Sequence, residues 1–113
     1  MKYALIICDD ESVPESAAEI SRRPEHIAWA AYLESRGITQ LGGARLRPSG
    51  DATTVRSRDG EVLVSDGPFV ETKEQVGGFA LIECADLDEA IEAAARHPWA
   101  AHGLVEVRPV WEE

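Results

Sequence analysis

A chain of 113 residues, 44% of them hydrophobic and 28% charged, fits one compact domain built on one core. Its formal charge of −10 argues against a nucleic-acid or anionic-membrane binder, because phosphate recognition needs clustered Lys and Arg. The N-terminal apolar run ends at Cys8, too short for a signal peptide or a membrane span, so a cytoplasmic protein is expected.

Tyr3 to Cys8 is continuously apolar and reads as a strand covered on both faces. Ser12 to Arg23 is polar and can start a helix at Pro14, with Pro24 interrupting or restarting it. Glu25 to Arg36 is a clearer helix closed by Gly37, with His26, Trp29, Ala30 and Leu33 on one face. Ile38 to Arg47 reads as a strand bent at Gly42-Gly43, and Pro48 to Asp51 as a loop. Thr53 to Arg58 and Glu61 to Val64 flank Asp59-Gly60, a strong hairpin signal.

The next stretch, Val64 to Gly78, departs from regular patterning. Asp66-Gly67-Pro68 is a turn, and Phe69 is expected to pin the loop into the core. Neither a phosphate loop nor a metal-loop pattern is present, and no metal or cofactor is expected. Phe79 to Cys84 is a strand. Asp86 caps a helix whose stripe is Leu87, Ala90, Ile91 and Ala94, and which ends at His97-Pro98. Leu104 to Trp111 is the last strand, placed at an edge by Pro109. Cys8 and Cys84, both in apolar runs, are expected to be reduced and buried.

The order strand–helix–strand, hairpin, strand–helix–strand predicts an α+β, ferredoxin-like sandwich with an inserted β-hairpin. Both helices would cover one face of the sheet. The other face, apolar along Tyr3 to Cys8, calls for a second copy of the chain. Val105 and Val107 would face the helices. Glu106 and Arg108 would face the dimer side, either as a register-fixing pair or with Arg108 as an anion clamp. His26 is the strongest acid–base candidate, set against a packed histidine at a helix start. His97 can offset a helix dipole, and His102 precedes Gly103.

The strings DGPFVETKEQVGGFALIE, DLDEAIEAAARHP and HGLVEVRPVWE resemble the YCII-related superfamily in its DGPF-domain branch, over nearly the whole chain. The resemblance implies a dimeric α+β barrel, and most members have no established activity. It also implies a histidine of the first helix paired with an aspartate. RPEHIAWAAYLESRGI places His26 at that position, with Asp66 as the expected partner and Asp51 as the alternative. The expected function is a homodimer that binds a small polar or anionic molecule near the DGPF loop. His26 and Asp66 would carry proton abstraction or elimination, and Lys73, His102, Glu106 and Arg108 would line the ligand. The alternative is a non-catalytic module linked to an extracytoplasmic-function sigma factor, as the resemblance suggests.

Overall fold

The computed structural model describes residues 1–11 and 16–112. Among these residues, six strands and three helices run in the order β1 (Lys2–Asp9), α1 (Ala17–Ser21), α2 (Pro24–Ser35), β2 (Thr39–Arg45), β3 (Thr53–Arg58), β4 (Glu61–Asp66), β5 (Gln75–Glu83), α3 (Leu87–Ala95) and β6 (Leu104–Pro109). Short 3₁₀ turns occupy Ser49–Asp51 and Pro98–Ala101. The main sheet is antiparallel with order β2–β5–β1–β6, and β3 and β4 pair as a separate hairpin. This is the ferredoxin-like α+β arrangement, with the hairpin inserted between its halves. No helix among the described residues is long and apolar enough to cross a membrane.

The strand period of two explains the core. Along β1, Tyr3, Leu5, Ile7 and Asp9 are buried while Ala4, Ile6 and Cys8 stay partly accessible. Tyr3 and Leu5 join Ile82 of β5, Trp29 and Leu33 of α2, and Ala90, Ala93 and Ala94 of α3 in one cluster. The helices therefore cover one face, against which Val105 and Val107 of β6 also pack. The opposite face carries Ala4, Ile6, Phe79, Leu81 and Leu104, with no helix of the described residues over it. Pro109 closes β6, which lies at the sheet edge as its sequence predicts.

Local chemistry sets the boundaries. Pro24 takes the first helical position of α2, where its missing N–H costs nothing. The expected start at Pro14 lies outside the described residues. α1 begins instead at a capping box, in which Ser16 accepts the Glu19 N–H and Glu19 reaches back to Ser16. Asp86 caps α3 by accepting the Glu89 N–H at 2.9 Å. Asp59 and Gly60, at φ of 51° and 81°, form the left-handed pair that a two-residue hairpin turn requires.

Four expectations need correction. Ala30 is exposed, and the inward face of α2 is completed by half-buried Tyr32. On α3 the inward stripe is Ala90, Ala93 and Ala94, while Leu87 and Ile91 are exposed. Small alanines let that helix approach the sheet closely, which turns its larger residues outward. Phe69 is 78% exposed rather than a core pin, because the chain leaving β4 is still out on the hairpin. Cys8 and Cys84 are free thiols, Cys84 buried as expected but Cys8 only half-buried, and burial pushes both pKa values up.

Gly103, just before β6, lies against the end of β1. A Cβ there would sit 2.0 Å from the Cys8 carbonyl oxygen and 3.0 Å from the Asp9 Cα. Gly103→Ala is expected to destabilise the fold by about 1–3 kcal/mol, as overpacking does. Urea denaturation measures it. A midpoint equal to that of the parent would mean the strand ends separate freely.

Candidate active site

One face of α2 and the turn after α3 bring four rings together. His26 sits in the first turn of α2 with Trp29 one turn further along. His97 follows the end of α3 and caps the Pro98–Ala101 turn, its Nδ1 accepting the Trp99 N–H at 3.1 Å. The His26 and His97 rings meet edge to face, with centroids 5.4 Å apart at 86°. His97 meets Trp29 at 4.7 Å and His26 meets Trp99 at 6.2 Å. The Trp29 indole is fixed from behind by a 2.9 Å hydrogen bond from Nε1 to the Ala93 carbonyl. The Arg23 guanidinium lies 5.9 Å from the centre of the Trp99 ring.

These rings form one wall of a cleft of about 240 Å³. The cleft is also lined by Ile7 and Asp9 at the end of β1, by Arg45 of β2, and by Gly77 and Gly78 of β5. Asp9 is a buried carboxylate, only 5% exposed. Its Oδ1 accepts the Glu11 N–H at 2.8 Å, and Oδ2 lies beside Gly77. Glu11 in turn accepts the Ser49 N–H and hydroxyl, which ties the first turn after β2 to the end of β1.

Both imidazoles are held neutral at physiological pH. Burial, reinforced by neighbouring His26, brings the pKa of His97 down to about 4. Burial also lowers that of His26; Glu25 opposes the shift, and Arg23 and Arg45 add to it. Because Nδ1 of neutral His97 accepts a hydrogen bond, its proton belongs on Nε2, making that atom a donor. His26 Nε2 is buried and has no hydrogen-bond partner among the described residues. A buried polar nitrogen without a partner costs about 1–3 kcal/mol, so this atom stands at odds with a purely structural role.

The residues expected from sequence fall in different places. His26 lines the cleft. Asp66 does not: it is the last residue of β4 and exposed. Asp51 is also outside, paired with Arg47 at 2.9 Å. Among the described residues of one chain, the carboxylate that lines the His26 cleft is Asp9. Both expected partners sit on the inserted segment, clear of the helix layer. Lys73 is exposed in the loop before β5. His102 ends the Pro98–Ala101 turn with its ring 5.3 Å from Trp99, behind the cleft wall. Glu106 and Arg108 pair at 2.6 Å on the uncovered sheet face.

Asp9, His97, Trp99 and Arg45 were not among the candidates. Asp9 carried a signal, since it continues the buried alternation Tyr3, Leu5, Ile7. His97 carried none beyond its place at a helix end, because its neighbours in space come from α2.

The family model of the YCII-related domain matches residues 1–113. A protein of Rhizobium meliloti (strain 1021), described as uncharacterized, is 40% identical over 116 residues, covering 97% of this chain and 92% of its own length.

Proposed function

We propose that this chain, which belongs to the YCII-related domain family, binds a small polar molecule in the His26–His97–Asp9 cleft and abstracts a proton from it. The observation that carries this reading is the buried, unpartnered Nε2 of His26, a residue that lines the cleft. A neutral imidazole is a competent general base near pH 7, and nothing in its own chain consumes that nitrogen among the described residues. His97 would donate from Nε2 to a developing negative charge, its ring already fixed by the Trp99 N–H. Asp9, buried in the same cleft, would hold a hydroxyl or amine of the ligand. Trp29 and Trp99 would bound it with apolar surface, which suits a molecule of modest size.

The uncovered sheet face supports a homodimer as the working unit. Ala4, Ile6, Phe79, Leu81 and Leu104 form an apolar strip of a kind a lone soluble domain seldom leaves bare. Glu106 and Arg108 would then be enclosed as a pair.

The test is a screen of small carboxylic acids, alcohols and amines against the histidine Cε1–H resonances. Binders are expected to move His26 and His97 together, and His26→Ala should weaken them by roughly tenfold or more while the protein stays folded. Binders that leave both resonances still, or that bind His26→Ala equally well, would rule the cleft out.

A further inference from the structure

We propose that the cleft takes a small α-hydroxy or α-amino carboxylic acid with an apolar side chain, its carboxylate on Arg45 and its hydroxyl or ammonium on Asp9. The proposal rests on the reading of this cleft as a ligand site and names what the site recognises. Among the described residues that line the cleft, Asp9 and Arg45 carry the full charges, one of each sign, while His26 and His97 are held neutral. A chain of formal charge −10 repels carboxylates at large, so Arg45 supplies the local attraction.

The sheet register sets the separation of the two charges. Arg45 of β2 lies opposite Gly78 of β5, and Gly78 lies opposite Ile7 of β1, two residues before Asp9. The charges therefore stand on the two strands that flank β5, which are two strand spacings, or about 10 Å, apart. That spacing, less the reach of the two side chains, suits polar groups on neighbouring carbons of one small molecule. Between them β5 presents Gly77 and Gly78. A Cβ on Gly78 would come within 2.9 Å of the Ala44 carbonyl oxygen, and one on Gly77 within 3.3 Å of Asp9 Oδ2. Gly77 thus leaves Oδ2 uncovered, while Oδ1 accepts the Glu11 N–H at 2.8 Å.

Arg45 is half-buried and close enough to His26 to help depress its pKa. A guanidinium carries several N–H donors in a planar fork, so it can keep a protein partner and still take a carboxylate. Asp9 is a buried carboxylate, for which a hydroxyl or an ammonium is the complementary donor. A ligand that offers only one of the two groups leaves the other charge of the cleft unmatched, which costs binding. Trp29, Trp99 and Ile20, which also line the cleft, receive the apolar side chain.

The experiment is a titration of the full chain followed at the His26 and His97 Cε1–H resonances. The probes are mandelate and phenylglycine, each as both enantiomers, with mandelamide lacking the negative charge and phenylacetate lacking the hydroxyl. The parent is expected to bind mandelate or phenylglycine roughly tenfold tighter than either control. Arg45→Gln should remove the preference for mandelate over mandelamide. Asp9→Asn should weaken phenylglycine, whose ammonium loses its counter-charge, and leave phenylacetate no weaker. The parent comparison decides alone where a variant fails to fold. Mandelamide or phenylacetate binding the parent as tightly as mandelate and phenylglycine overturns the two-point recognition and leaves the cleft standing as a ligand site. An Arg45→Gln variant that weakens mandelate and mandelamide equally also overturns it, because the arginine would then act through the fold. Probes that all leave both histidines still overturn it together with the reading of the cleft.

Discussion

Replacing Trp29 by alanine is expected to remove about 3–5 kcal/mol of stability, a large part of what a domain of this size possesses. The indole is 6% exposed and sits where three elements meet. It packs in the main cluster with Leu33 and Ala90, and its ring meets His97 edge to face at 74°. Its Nε1–H satisfies the Ala93 carbonyl, which lies in the last turn of α3, where carbonyls lack a helical donor. Trp29→Ala therefore opens a cavity and strands that carbonyl. Trp29→Phe keeps much of the volume and loses the hydrogen bond, so about 1–2 kcal/mol is expected. Urea denaturation of the two variants separates packing from hydrogen bonding. Equal losses would mean that the bond between α2 and α3 carries the whole effect and the cavity costs nothing. The same substitution removes part of the cleft wall, so Trp29→Phe is the variant in which ligand binding remains measurable.

Elements with a local chemical cause were legible in the sequence. Asp59-Gly60 specifies its turn through two left-handed residues. Asp86 specifies a helix start through one side-chain oxygen. Pro109 marks an edge strand because it cannot donate to a ladder. Antiparallel order then follows from the chain of elements, since a split strand–helix–strand pair has few ways to share one sheet. What failed was rotation and depth. Periodicity placed Leu87 and Ile91 inside, whereas three alanines took the inner face of α3. Hydrophobicity placed Phe69 inside, whereas its loop never returns to the core.

The site was legible only where one element carries it. His26 and Trp29 share a helix face, so spacing alone brought them together. Asp9, Arg45 and His97 come from β1, β2 and the turn after α3, and only the sheet order brings their ends into one cleft. A chain read along its length favoured Asp66, which stands in an unusual stretch. The fold instead brings Asp9 to the cleft, from a strand that looked wholly regular. Irregularity marked the loop after β4; the buried carboxylate lay in the regular part.

Acidification is expected to weaken the fold through His97. Its pKa is about 4 in the folded protein against an ordinary 6.5. Between those values the unfolded chain binds more protons, so stability falls as pH drops from 6.5 towards 4. The contribution is fully present above pH 6.5 and is lost on the way down, to a total of roughly 3 kcal/mol. His26, lowered in the same direction, adds to the slope. His97→Asn tests the assignment, because an asparagine oxygen can still accept the Trp99 N–H while nothing titrates. Denaturation midpoints near neutral pH and near the lower limit should show the parent losing stability and His97→Asn losing much less, the difference isolating the imidazole from the carboxylates common to both. Equal slopes would mean that His97 is solvated when protonated. A charged His97 would then stand 5.4 Å from His26 at little cost, and the neutral pair on which the proposed proton abstraction depends would not be enforced by the fold.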